Sequence, residues 1–208
     1  GRLPVAVAVL EEDVRPDAAE TLDYFEKQGV TIKIISGDSQ KTVGAIAQEV
    51  GLRHGADGEA DVVVTDARTL PEIGSPQFRE EALETDVFGR VTPEQKRGLV
   101  HALQDSGYTV AMTGDGVNDA LALKDADLGI AMGNGAPATK AVSRLVLVDG
   151  KFSVLPGVVA DGRRIIANME RVSSLFLSKT TYAMLLAVVV ALAGWAYPFL
   201  PRHLTYIS

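Results

Sequence analysis

Two carboxylates and an amide lie close together in the run Thr113-Gly114-Asp115-Gly116-Val117-Asn118-Asp119. Asp115 offers a hard oxygen ligand of the kind magnesium takes, one or two carboxylates completed by substrate oxygens. Gly114 and Gly116 are expected to let the backbone turn sharply and come close to a phosphate. A second acidic turn, Ser36-Gly37-Asp38, follows the β-branched run at residues 31–35, and Lys96 stands at the start of a helical pattern. Each piece has a plainer reading when taken alone. Gly-Asp and Asn-Asp are common in solvated turns, Ser-Gly-Asp is a common turn, and a lysine at a helix start is usually a surface lysine.

The elements that would carry these residues alternate. Residues 5–10 form a short apolar run suited to a buried strand, and Pro16 lies near a helix start. Leu22, Phe25 and Gln28 recur at helical spacing, and Gly29 closes that helix. Residues 31–35 read as a strand with Ser36-Gly37-Asp38 at its C-terminal end. Val43, Ile46, Ala47 and Val50 then share one face of a helix that stops at Gly51. Residues 61–65 suit a strand and 78–83 a short helix. A helix is predicted over 93–105, a strand over 108–112 ending on the acidic run, a short helix over 120–124, and a strand over 128–132. Gly133-Asn134-Gly135 turns into a helix through Thr139 and Val142, and a last strand covers 145–148. This order builds a parallel sheet, where ligands sit at the C-terminal ends of strands.

The chain has 208 residues, 47% hydrophobic and 23% charged, a net charge of -7 and no cysteine. The acidic balance argues against nucleic acid as a partner, which calls for a basic face. Without cysteine there are no disulfides or thiolate metal sites; this fits a reducing compartment. The chain begins at Gly1 with no signal-like leader and is read as starting within a longer polypeptide.

Residues 155–179 have no clear helix breaker and carry Arg163, Arg164, Arg171 and Lys179, and residues 180–195 have no charge. With its apolar flanks the stretch approaches the ~20 residues that a bilayer requires. A buried core helix is the alternative. The basic cluster before the span and Trp195 and Tyr197 after it favour the membrane. Pro198 and Pro201 would end the helix in an outside turn at residues 195–202, with residues 204–208 beginning the return.

The run TGDGVNDALALKDADLGIAMG from Thr113 to Gly133 resembles the hinge motif of P-type ATPases, cation pumps of the haloacid dehalogenase (HAD) superfamily. VTPEQK ending at Lys96, ISGD ending at Asp38 and EEDVRPDA at residues 11–18 support it in the family's order, so the resemblance covers essentially the whole chain. It implies an incomplete three-layer α/β Rossmann-like sandwich, missing its nucleophile-bearing strand, followed by a transmembrane helix in the position of the family's fifth span. Residues 1–152 would be the C-terminal part of the phosphorylation domain, in the cytoplasm, and 153–208 a stalk, one span and the start of another in a multi-pass protein of the bacterial plasma membrane.

The resemblance also implies roles and cofactors. Lys96 would neutralise the transferring phosphoryl group, and Asp119 would order Lys96 or the loop. Ser36, where the family usually has Thr, and Gly37 would bind phosphoryl oxygens. Asp38 would lie near the nucleotide phosphates, Asn118 would hydrogen-bond the phosphate region, and Asp115 would hold Mg2+. ATP would be the substrate, and the partners a transported cation, the lipid membrane and the N-terminal part of the same polypeptide. The family's Asp-Lys-Thr-Gly-Thr nucleophile segment is not in these residues, and neither Asp127 nor Asp149 has the following residues to replace it. Leu121 stands where the family most often has Pro. Calcium pumps of the family carry an acidic ligand in the fifth span, where this chain has Thr180, Thr181, Tyr182 and Ala183. Calcium is the expected ion on the resemblance alone. A soluble HAD phosphatase, with similar loops, and a non-enzymatic membrane piece that binds a partner are the other classes. The phosphatase needs its own Asp-x-Asp motif near the N-terminus and no membrane helix.

Overall fold

A computed structural model describes residues 16–52 and 61–194 of the chain. The apolar run at 5–10, the turn residues Asp13 and Arg15, and everything from Trp195 onward lie outside the described residues. Two compact units are present, Gly1–Pro156 and Gly157–Ser208.

In the first unit the described strands form two three-stranded parallel sheets. In one, β3 (Val87–Gly89) lies between β1 (Ile34–Ile35) and β2 (Val64–Asp66), with Ile35 and Thr65 both opposite Phe88. In the other, β5 (Leu128–Met132) lies between β4 (Ala111–Gly114) and β6 (Leu145–Leu147). The expectation of one sheet lacking a strand is thus met by two half-sheets, in which β1 and β4 are both outer strands.

Each half is layered because side chains alternate across its middle strand. Val87 packs with Val43, Ala47, Val50 and Leu52 of α2 (Gln40–Glu49) and its exit. Its neighbour Phe88 packs on the opposite side with Phe78 and Ala82 of α3 (Pro76–Glu84) and Leu99 of α4 (Pro93–Asp105). Both β3 residues are fully buried, and removing an aromatic ring from such a place costs about 3–5 kcal/mol. In the second half, Met112 packs with Val100 of α4 and with Ala122, Leu123 and Ala126 in and after α5 (Ala120–Asp125). Ile130 and Leu147 pack with Leu155 and with Phe25 of α1 (Ala18–Lys27) and Phe152. A short α6 (Pro137–Val142) leads into β6. The helix α4 contributes to both halves, through Leu99 to the first and Val100 to the second.

The start of α4 follows from local chemistry. The Thr92 hydroxyl accepts from the Gln95 amide at 3.2 Å, and the Gln95 side chain accepts from the Thr92 amide at 3.0 Å. With Pro93 at the first helical position, this reciprocal cap fixes where the helix begins.

Four strands differ from the sequence reading by more than one residue, among them the one expected at 61–65, which is Val64–Asp66. Only Ile34–Ile35 of residues 31–35 joins a ladder, because its partner β3 is three residues long. That partner strand was not predicted; its apolar run is too short to show alternation. The strand expected at 108–112 lies instead at Ala111–Gly114. Its approach is held by a side chain, since the Val110 amide donates to the Asp127 carboxylate at 2.8 Å rather than to a neighbouring strand.

The helix α7 (Leu155–Leu192) runs 38 residues, about 57 Å at 1.5 Å per residue. It is long and apolar enough to cross a membrane. The basic residues occupy its first two thirds, and its last thirteen described residues carry no charge.

Candidate active site

The acidic run begins at the end of β4, and its geometry centres on Asp119. Residues Val117–Asp119 make a single 3-10 turn that leads into α5. Asp119 is buried, and both its carboxylate oxygens are used. One accepts from Lys96 Nζ at 2.6 Å, and the other from the Gly116 amide at 3.1 Å. The Lys96–Asp119 side chains are only 13% and 10% exposed. An ammonium has three protons, so this pairing leaves Lys96 with donors for a further anion.

The structure gives Gly114 a purpose beyond the one expected. Neither Gly114 nor Gly116 is among the positive-φ residues, so no left-handed turn is being made. A Cβ on Gly114 would stand 2.7 Å from the Asp119 Cβ and 2.9 Å from its carboxylate. Gly114 is needed so that the Asp119 side chain can fold back across the strand end.

Asp115 and Asn118 contrast with Asp119. Both are exposed, and neither side chain takes part in a hydrogen bond or ion pair among the described residues. The Asp115 carbonyl accepts from the Ala136 amide at 2.7 Å, which anchors the backbone while the carboxylate projects freely. The described residues hold no cluster of three or more His, Cys, Asp or Glu side chains that could bind a metal. A single free carboxylate fits Mg2+, which binds through one or two such groups and substrate oxygens, and does not fit an all-protein metal cage.

The other predicted turn lies at the end of β1. Ser36 Oγ donates to the Asp38 carboxylate at 3.2 Å and accepts from the Asp38 amide at 3.1 Å. Gly37 and Asp38 are exposed. Ser39 then caps α2 through the Thr42 amide at 3.3 Å. The turn's carbonyls are gripped from behind by residues that the sequence reading did not single out. The Arg90 amide donates to the Asp38 carbonyl at 2.7 Å, and the Val91 amide to the Ser36 carbonyl at 3.0 Å. Arg90 does this at φ 57°, the one non-glycine positive φ among the described residues, a conformation that is uncommon for a side chain of this size. No sequence signal marks it beyond its place between a glycine and the Val-Thr-Pro start of α4.

The structure therefore brings Lys96 together with Asp119, and Ser36 together with Asp38. No hydrogen bond or ion pair among the described residues joins the two turns. Both lie at the C-terminal ends of parallel strands, where open α/β sheets bind ligands.

The haloacid dehalogenase-like hydrolase family profile matches residues 3–127, more than half of the chain. The chain belongs to the haloacid dehalogenase-like hydrolases. Its relatives in this family are ion-transporting ATPases. It is 53% identical over 97% of its length to a calcium-transporting ATPase, CtpE, of Mycolicibacterium smegmatis, of which it covers 26%. It is 42% identical over 98% of its length to a probable cation-transporting ATPase, exp7, of Streptococcus pneumoniae, again covering 26% of that protein. Among solved structures, a zinc-transporting PIB-type ATPase in its E2.Pi state matches 90% of this chain with a TM-score of 0.62. At 24% identity and 25% coverage of that chain, this likeness bears on the fold alone. The present chain spans about a quarter of the length of the curated relatives it matches.

Proposed function

We propose that these residues belong to an ATP-driven cation pump and form part of the domain that transfers the γ-phosphoryl group of ATP to a carboxylate elsewhere in the polypeptide. The observation that carries this reading is the buried Lys96–Asp119 pair with the free Asp115 carboxylate on the same short loop. Asp119 holds the ammonium in place, so that Lys96 meets developing charge on the phosphoryl oxygens without reorganising. Asp115 is the residue to hold Mg2+, whose contribution when bound is to neutralise phosphate charge. Asn118 is also exposed and offers an amide to phosphate oxygens. Ser36 and the Gly37 amide present donors at the other strand end, and Asp38 borders the nucleotide phosphates.

The coupled process is cation transport across a membrane, with calcium as the leading ion because the CtpE relatives carry that name. The span in α7 supports a membrane protein with its basic residues and residues 1–152 on the cytoplasmic side. Thr180 and Thr181 donate their hydroxyls to the Phe176 and Leu177 carbonyls at 2.9 Å, so they would offer the ion only neutral oxygens. Charged ligands would come from other spans. The relatives and the long apolar helix favour this reading over a soluble phosphatase.

The test is ATP-dependent calcium uptake by inside-out vesicles containing the intact protein. Uptake abolished by Asp115→Asn is expected. Hydrolysis of a phosphate ester with no uptake of any cation would instead favour the phosphatase.

A further inference from the structure

The helix α5 is six residues long, about 9 Å, and both its ends are fixed to α4. At its start is the Lys96–Asp119 pair. At its end Asp125 gathers side chains from three positions of α4, spaced at 97, 101 and 104 along one face. Arg97 Nε donates to the Asp125 carboxylate, His101 Nε2 lies 3.0 Å from the same oxygen, and Gln104 donates to the Asp125 carbonyl at 3.0 Å. Gln104 also reaches the Asp127 carboxylate at 3.2 Å. Asp125 is 19% exposed, while Arg97 and His101 are about half exposed.

The apolar contact beneath this cluster gives little register of its own. It sets Val100 against Ala122, Leu123 and Ala126, and two of those three are alanines, whose single methyl groups interlock little. A slide of α5 by one residue, about 1.5 Å, would take the 2.6 Å Lys96–Asp119 contact out of hydrogen-bond range. Directional bonds at the far end oppose that slide.

We infer that Asp125 is a positioning residue for phosphoryl transfer. As the shared acceptor for Arg97 and His101 it sets the register of α5 on α4, and so keeps Asp119 where it can aim Lys96. The inference rests on the proposed function, since it concerns the rate of that reaction.

In the intact protein, formation of acid-stable phosphoenzyme from labelled ATP is compared for wild type, Asp125→Asn and Asp125→Glu. Asp125→Asn should slow phosphorylation about tenfold, the scale of a small misplacement of a catalytic group. The ATP concentration for half-maximal rate should stay within about twofold, because Asp125 touches no substrate. Asp125→Glu, which keeps the charge, should recover most of the rate. An unchanged rate in Asp125→Asn, a loss expressed only in ATP affinity, or a Glu variant no better than Asn would each overturn the inference. If Asp125→Asn does not fold, Arg97→Gln leaves the carboxylate in place and should show the same rate loss at unchanged ATP affinity. A wild-type protein that forms no phosphoenzyme would refute the functional reading itself, and this inference with it. A wild type that labels beside an Asp125→Asn variant that labels equally fast would refute the inference alone.

Discussion

The two turns at the strand ends share glycine and aspartate and behave differently. Ser36-Gly37-Asp38 is self-contained: its side chains bond to one another, and its backbone is held by the amides of Arg90 and Val91. The Asp115–Asp119 loop is divided within itself. Asp119 is buried and saturated by Lys96 and the Gly116 amide, and Asp115, four residues earlier, is exposed and unengaged. An acidic residue that meets every partner inside the protein has an orienting role, and one that meets none is available to a ligand. Burial and hydrogen bonding separate the two roles where residue type does not.

The largest effect should come from the free carboxylate. In the intact protein, Asp115→Asn should lower ATP turnover by about 10²–10³-fold, the scale of losing one group that stabilises transition-state charge. Its melting temperature should match wild type, because no internal contact is lost. A variant that loses turnover and melts much earlier would make Asp115 structural and erase the contrast with Asp119.

Asp119→Asn should do both kinds of damage. It leaves the Lys96 ammonium nearly buried without its counter-charge, and breaking such a pair typically costs about 3–5 kcal/mol. Chemical denaturation measures this directly. A stability loss under about 1 kcal/mol would class the pair with ordinary surface ion pairs.

The self-contained turn should respond least. Ser36→Ala removes the two exposed hydrogen bonds between the hydroxyl and Asp38 and keeps the backbone clamp of Arg90 and Val91, so stability should change by no more than about 3 kcal/mol. A larger loss would show that the Ser36–Asp38 contact, rather than the clamp, shapes the turn.

The last prediction concerns acid, also in the first half-sheet. Arg68 donates to both oxygens of Asp66 through its side chain and to one through its amide, and these bonds hold the Asp66 pKa at about 2. A folded-state pKa below the ordinary carboxylate value near 4 contributes stability that is fully present above that value and lost as pH falls toward 2. The stability difference between wild type and Asp66→Asn should therefore shrink between about pH 4 and about pH 2. A difference that stays constant across that window would remove Arg68 as the cause.

Much of this was legible in the sequence, for reasons that can be named. The extent of α4 was legible from its helical pattern after Pro93, whereas the Thr92–Gln95 cap that fixes its start is seen in the structure. The long apolar C-terminal helix followed from the distribution of charge. The pairing of Lys96 with Asp119 is different. The residues stand on separate elements, and the sequence reading linked them only through resemblance to a family. The strand β3 escaped notice because three residues are too few to show a period, although it is the most buried strand of its half-sheet. The space that Gly114 leaves for Asp119 is a tertiary fact that no sequence pattern marks. The spacing of Arg97, His101 and Gln104 on one helical face was visible, but nothing in it pointed to Asp125.

The most direct measurement is acid-stable labelling of the intact protein by γ-labelled ATP, with wild type beside Asp115→Asn. Wild type should take up label that hydroxylamine releases, as an acyl phosphate on a carboxylate requires, and the folded Asp115→Asn variant should take up almost none. Equal labelling of the two proteins, or cation uptake by a wild type that never becomes labelled, would contradict the assignment of this loop to phosphoryl transfer.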